Sequence, residues 1–431
     1  MTPQSHFNVV APVAEGREQG LRVLLDSMNT LPGLADPANS IVPFGEFERI
    51  HYARLVILDD PTLGDMEAHG LPRPNLPIYL AFLGDCDGDG RTCLAEIVRH
   101  AESGLRQIFQ HCADFDAPAD LLTWLLAHDQ PVAAGYVNWV GRTVRQIKEE
   151  SALQRALAAR VRREPMASGT EAQQHRRELN EFVDAEIAAG RLSLTPPDPT
   201  PLNWTIAKSL HLLGIPLLGL IASPVLLPLL PLVFYQLRRL ETRDPEIYPR
   251  PSVAFLLPLK QLEDHDVTNQ YTALGLVKPG WFRRWLLTVL LVVADYGCRH
   301  IFTRGHLARV QTIHFARWVY IDDKARVMFA SNYDGGHEAY MDDFINKVAW
   351  GLNLLFSNGV GWPRTDWLIK RGARIEQHFK YFQRRHQLPT QVWYKAYPGL
   401  SLIDLKRNGR IREGLHGTMS DAEATAWLRL L

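Results

Sequence analysis

Short apolar runs ending at Asp-Gly or Pro-Gly recur along this chain. Each is flanked by longer stretches whose apolar residues fall at helical spacing, which predicts alternating strands and helices. The runs also repeat. Residues 50–60 (IHYARLVILDD) and 313–323 (IHFARWVYIDD) are identical at seven of eleven positions, at an offset of 263. YLAFLGDCDG (79–88) aligns with VMFASNYDG (327–335) at an offset of 247, placing Asp87–Gly88 opposite Asp334–Gly335. QPVAAGYVNWVG (130–141) aligns with LPTQVWYKAYPG (388–399) at an offset of 258, and NVVAPV (8–13) with AFLLPL (254–259) at 246. Such self-similarity signals a duplicated scaffold.

Each half then reads strand, helix, strand, strand, helix, strand, the order of a ferredoxin-like unit. In the second half these elements are expected at 252–259, 282–302, 311–321, 326–333, 338–357 and 390–397. The first helix of the first half is expected at 16–29. One face of Ile313–Ile321 carries Ile313, Phe315, Val319 and Ile321, and the other Ala316, Trp318 and Tyr320. Apolar residues on both faces mean burial on both. The expected fold is therefore α+β: tandem ferredoxin-like (βαββαβ) repeats, 1–145 and 251–431, closing face to face into an α+β barrel with a cleft between the sheets. A helical segment, 146–250, lies between them.

That middle segment carries the longest uncharged run. Between Lys208 and Arg238 lie 29 residues with no charged side chain. The length suffices to cross a bilayer, but Pro216, Pro224, Pro228 and Pro231 interrupt it. Two halves packed together must stay on one side of a membrane. An apolar hairpin over about 205–239 is therefore expected, dipping in and returning through a break near Ala222–Pro224. Trp204, Lys208, Tyr235, Arg238 and Arg239 flank it with interfacial residue types. Residues 145–190 read as charged, solvated helices, and 194–203 as a proline-rich linker.

Composition narrows the classes. Forty-seven basic and 47 acidic residues leave no formal charge, so no nucleic-acid partner is expected. Cys86, Cys93, Cys112 and Cys298 show no paired spacing, which fits a reducing compartment, and no secretory signal is read in the first residues. The expected localisation is a membrane's cytoplasmic face. The expected partners are lipid and an apolar small molecule, with a homo-oligomer as a further expectation.

Three sets of residues offer chemistry. Strand pairing across the 322–325 turn sets His314 roughly opposite Asp334, a spacing suited to acid–base work. Arg317 on the apolar face needs an anionic partner. His51, Arg54 and Asp87 repeat this trio in the first half, and that repetition favours a purely structural role for it. DCDGDGRTCLAE (85–96) places Asp85, Asp87, Asp89 and Glu96 at Ca²⁺-loop positions. The competing reading is a strand-to-helix turn, with Gly88 and Gly90 at positive φ and an Asp capping the helix. The polar stretch 261–280, with His265, Asp266, Asn269, Gln270 and Lys278, reads as a functional loop. No nucleophile elbow, Walker loop or zinc spacing occurs.

IHFARWVYIDD, FASNYDGGHEAYMDDFINK, GVGWPRTDWL and PTQVWYKAYPGL together resemble a bacterial family that brings no activity with it. The architecture also resembles the dimeric α+β barrel group of dye-decolourising peroxidases and chlorite dismutases. Gly84-Asp85-Cys86-Asp87-Gly88 matches that group's GxxDG letters, whereas Ser331 departs from them in the second half. The resemblance implies haem, with His265, His300 and His306 as candidate ligands. It implies a membrane-associated peroxidase- or oxygenase-like enzyme in which His314, Arg317 and Asp334 move protons. The alternative is a non-catalytic membrane-associated protein that binds lipid or a partner.

Overall fold

The computed structural model describes residues 1–115, 120–163 and 171–431. Residues 164–170, part of the charge-rich stretch expected to be helical, lie outside the described residues. The first half runs β1 (Gln4–Pro12), α1 (Glu18–Asp26), β2 (Asn29–Leu31), β3 (Leu34–Ala35), β4 (Ile50–Leu58), β5 (Tyr79–Asp87), α2 (Gly90–Phe109), α3 (Leu121–Ala127) and β6 (Val132–Val137). The helices α4 (Val144–Arg163), α5 (Ala172–Ala188), α6 (Leu202–Glu241) and α7 (Val253–Gln261) follow. Then come β7 (Thr268–Leu276), α8 (Trp281–His300), β8 (Ile313–Ile321), β9 (Arg326–Asp334) and α9 (His337–Phe356). The chain ends with β10 (Thr365–Asp366), β11 (Lys370–Arg371), α10 (Glu376–His386), β12 (Thr390–Lys395), α11 (Leu402–Glu413) and α12 (Asp421–Leu428).

Two main sheets form, ordered β1-β5-β4-β12-β3-β2 and β6-β8-β9-β7. Both are open, and no closed barrel occurs among the described residues. Neither half completes a βαββαβ unit from its own strands. β12 pairs with β4 of the first half, with Trp393 opposite Arg54, and β6 pairs with β8 of the second, with Gly135 opposite Arg317. Local periodicity cannot encode which sheet edge a strand joins, so these pairings carry no sequence signal.

The sheets lie face to face as expected, but the space between them is filled. At one end Val10, Val56, Leu83, Leu274, Val319 and Met328 interdigitate, and at the other lies the polar network described below. α1–α3 cover the outer face of the first sheet, and α8–α10 that of the second. Helices α4, α5, α11 and α12 share a separate small core around Leu153, Leu179, Ile411 and Trp427.

Two expected elements fall elsewhere. Residues 252–259 form α7 rather than a strand, started by Ser252 accepting from the Phe255 amide at 3.2 Å. An apolar run without periodicity does not distinguish the two. The strand is β7, inside the stretch expected to be a polar loop. Gln4 and Thr268 occupy matching places, opposite Asp87 and Asp334, so the first strands align at an offset of 264, not 246. β7 hides its identity because its inward side chains are polar, and they are buried to bind other polar groups.

The apolar segment is a single helix. α6 is continuous through all four prolines, with no hairpin break at Ala222–Pro224. It runs antiparallel to α8 and is held near both ends. His211 Nδ1 lies 2.9 Å from His300 Nε2, and Tyr296 donates to the Leu212 carbonyl at 3.2 Å. At the far end Leu237 packs on Phe282 and Leu286, and Arg238 pairs with Asp366 at 2.6 Å. Between these anchors most of its surface is exposed: Leu217, Leu220, Val225, Leu227 and Leu232 are 55–69% accessible, whereas Ile215, Ala222 and Val233 are half-buried. α6 is the one helix among the described residues long and apolar enough to cross a membrane, and its most apolar window is 0% buried.

Candidate functional site

Alternation along β4 and β8 sends Arg54 and Arg317 inward from opposite sheets. Each crosses the interface. Arg317 donates to the carbonyls of Phe7 (3.2 Å) and Gly84 (3.0 Å), to Asn8 Oδ1 (3.1 Å) and to the Asp85 carboxylate. Arg54 reaches the other way, to the Tyr271 and Ser331 carbonyls (both 3.0 Å), Thr272 Oγ1 (2.9 Å) and Asn332 Oδ1. Both are at most 2% exposed. A buried guanidinium is tolerated only with its donors filled and a counter-charge at hand. Asp85 supplies that charge and also receives His6 Nδ1 at 2.7 Å and Asn332 Nδ2 at 3.0 Å.

The expected His314–Asp334 pair forms, at 2.7 Å. Arg317 does not join it, because its partner is Asp85 on the other sheet. The equivalent pair in the first half, His51–Asp87, is 2.9 Å. Two tyrosines that the sequence did not single out link the pairs. His51 Nδ1 lies 3.1 Å from the Tyr397 hydroxyl, and His314 Nδ1 lies 3.0 Å from the Tyr52 hydroxyl. The two tyrosine rings meet edge to face with centroids 5.5 Å apart. The result is two largely buried rows that meet at those rings: Asp87, His51, Tyr397 and Asp334, His314, Tyr52.

The outer carboxylates also start helices. Asp87 accepts from the Val144 amide at 2.8 Å, the first residue of α4, and Asp334 from the Leu402 amide at 2.7 Å, the first residue of α11. A carboxylate there satisfies a free amide and meets the positive end of the helix dipole. The rows thus tie both sheets to the α4/α11 layer, a structural role for which their symmetry is suited.

The Ca²⁺ reading fails on geometry. Asp85 and Asp87 lie within β5, and their oxygens are taken by the partners above. Asp89 caps α2 by accepting from the Thr92 amide at 3.0 Å, and Glu96 faces Arg49 at 4.0 Å. No group of three His, Cys, Asp or Glu able to hold a metal occurs among the described residues. The turn reading holds in part. Gly88 and Gly335 have φ of +84° and +85°, whereas Gly90 is the first residue of α2.

The histidines proposed for haem are dispersed. His265 meets the Pro32 carbonyl at 3.1 Å on an exposed loop, His300 is held by His211, and His306 lies in the turn after α8. The inter-sheet space where haem would lie holds side chains instead, so the residues present do not fit that group. In the stretch expected to be a functional loop, Lys278 pairs with Asp244 at 2.8 Å, and Asp266 with Lys395. Gln270 accepts from Thr390 at 2.7 Å, and Asn269 donates to Asp264 at 2.8 Å. These polar side chains secure β7 and its flanks.

The buried ionisable groups fix the direction of pH dependence. Burial lowers His6, His337 and His386 below their ordinary 6.5, with Arg317 adding to the effect at His6. At Asp85 burial acts upward, but Arg317 and His6 outweigh it and hold the carboxyl below 3.8. A histidine kept neutral in the fold binds its proton more readily when unfolded, so stability falls as pH drops below about 6.5. The carboxylate's contribution goes next, as pH falls through its depressed folded value. Thermal unfolding should show a midpoint nearly level from pH 8 to 7 and declining from 6.5 to 4. A rising midpoint on acidification would contradict these assignments.

No known protein family matches the chain, and no curated protein or solved structure resembles it at a significant level.

Proposed function

We propose that the protein is a non-catalytic, membrane-associated binding protein, seated on one face of a bilayer through α6 and the outer side of α8. The observation that carries this reading is a long uncharged apolar helix whose side chains are exposed over most of its circumference between its anchors. Such a helix needs an apolar surrounding. Its neighbourhood extends the surface: Trp281 is 77%, Val293 61% and Trp285 41% exposed on α8, and Val253 is 79% exposed on α7. Lys208 over Trp204 and Arg238 over Trp367, at 5.0 and 5.8 Å, are interfacial pairs at the two ends.

Topology favours immersion over crossing. Strands from before α6 and after it share both sheets, so the flanks cannot lie on opposite sides of a bilayer. The helix would lie along the bilayer surface beside α8 with its exposed flank immersed, its prolines tolerated as in other membrane helices. Four free, buried cysteines suit the cytoplasmic leaflet. The duplicated order of elements supports descent from paired βαββαβ units that later exchanged their last strands. The polar rows argue for scaffold over catalyst, since their members bind one another.

Vesicle flotation tests the reading. The full chain is expected to float with phosphatidylcholine vesicles, and more completely when anionic lipid is added. Recovery of a monodisperse protein without detergent, unbound to either vesicle, would contradict it.

A further inference from the structure

The chain between β10 and β11 turns through residues 367–369 in a conformation that its side chains resist. Trp367, Leu368 and Arg371 have φ of +56°, +66° and +57°, a strain for any residue but glycine. Such a turn persists only where its surroundings hold it. Glu241, near the end of α6 and 1% exposed, accepts from the Trp367 and Leu368 amides and from the Thr365 hydroxyl, each at 2.8 Å. Two successive amides converging on one carboxylate form an anion nest. From the other side Asn353 of α9, fully buried, donates to the Ile369 and Arg371 carbonyls at 3.1 and 3.0 Å. Leu368 packs with Leu237, Phe282 and Leu286, where α6 meets α8. The hairpin is thereby fixed to the α6–α8 junction.

What it carries exceeds the needs of a clamp. Holding the end of α6 requires Leu368 and the Glu241 bonds. It does not require Trp367 and Ile369 to stand 47% and 43% exposed, nor Lys370 and Arg371 to be exposed as well. The Trp367 ring meets Phe234, itself 46% exposed, edge to face at 6.3 Å, so the apolar surface of α6 continues onto the hairpin. The charge beside that surface is uncompensated. Asp366 is taken by Arg238, Asp244 by Lys278 and Arg283, and Glu246 by Arg364. Among the described residues no carboxylate pairs with Lys370 or Arg371, nor with the exposed Arg239 of α6 and Arg284 of α8.

Exposed Trp and Ile flanked by unpaired cations match a bilayer interface, where aromatic rings lie at the headgroup level and anionic lipids attract Lys and Arg. We propose that the β10–β11 hairpin is a headgroup anchor: Trp367 and Ile369 enter the interface, and Lys370 and Arg371 take the phosphate groups of anionic phospholipids. An acidic protein surface would meet the cations but leave the adjoining apolar face in water. The anchor rests on the membrane reading, to which it adds the class of lipid and the part of the chain that selects it.

Partition of the full chain onto vesicles of phosphatidylcholine, and of phosphatidylcholine mixed with phosphatidylserine, tests this. Lys370→Gln with Arg371→Gln should bind the serine-containing vesicles about thirtyfold less tightly, a factor of about five for each charge, and the phosphatidylcholine vesicles as the wild type does. Arg17→Gln with Arg91→Gln removes the same charge from exposed sites beside α1 and α2, on the outer face of the first sheet. That pair should bind both vesicles as the wild type does. Trp367→Asn removes the ring with a residue that tolerates the left-handed turn. It should weaken binding to both vesicles about tenfold, while its unfolding midpoint in detergent matches the wild type. Undiminished affinity for serine-containing vesicles in the hairpin double variant, or an equal loss in both double variants, would overturn the anchor and leave general attraction only. A Trp367→Asn variant that unfolds early yet binds undiminished would assign the hairpin a clamping role alone. A wild type that binds neither vesicle would refute the membrane reading itself, so the two failures are told apart.

Discussion

Arg317→Ala is expected to cost about 3–5 kcal/mol, the range for breaking a buried ion pair by removing one partner. Asp85 would remain 1% exposed without its guanidinium, and three further acceptors on β1 and β5 would lose their donor. Since whole domains are stable by only about 5–15 kcal/mol, the variant should unfold at much lower denaturant, with little change in slope. Arg54→Ala should be milder, because the acceptors it leaves are neutral and Asn332 keeps Trp393 and Asp85 as partners, whereas removing Arg317 leaves Asp85 charged. Chemical denaturation of both variants beside the wild type decides this. Equal losses would mean that the charge on Asp85 is unimportant, and no loss at Arg317 would refute the crossed-arginine arrangement.

The second large effect concerns α6. Leu220→Asp with Leu227→Asp places two carboxylates mid-helix, at positions 69% and 60% exposed. Each Asp at the centre of a lipid-immersed helix costs about 2.5–3.5 kcal/mol, and the pair together should reduce vesicle binding by more than about a thousandfold. The folded body should be untouched, because neither side chain packs on it. Its unfolding midpoint in detergent should match the wild type. A variant that still floats would show that α6 is covered by something other than lipid.

These expectations combine what the sequence displays with what it conceals. The repeated IHxAR strands, the Asp-Gly turns and the His314–Asp334 proximity were all legible, because each depends on local alternation or on register across a short turn. The partner of Arg317 was not legible. It sits on the opposite sheet, 232 residues away, and sheet-to-sheet contacts leave no spacing rule. β7 read as a loop because burial of Thr268, Gln270 and Thr272 is compensated by polar groups from distant strands. Tyr52 and Tyr397 carried no signal beyond being aromatic residues near strand ends. In α6, four prolines argued for a break, yet the helix is continuous. Hydropathy identified the segment, and only the structure showed that its most apolar window is 0% buried among the described residues.

The resemblance to haem-binding barrels rested on short motifs and on an assumed hollow. Side chains occupy the hollow, and Gly84 of the matching letters serves packing. A Cβ there would fall 2.1 Å from the Phe7 ring, so glycine is required by the close approach of β1. The motif's letters therefore have a steric cause in this fold.

Spin-label accessibility along α6 tests the central claim most directly. The native cysteines are all buried, so a label at Val225→Cys, with Val23→Cys as a distant exposed control, reports selectively. In vesicles the label at 225 should be open to oxygen and closed to a water-soluble nickel complex, and the label at 23 should show the reverse. A label at 225 that stays open to the nickel complex would contradict the account, placing α6 in water instead of in lipid, and a label closed to both reagents would place it against protein.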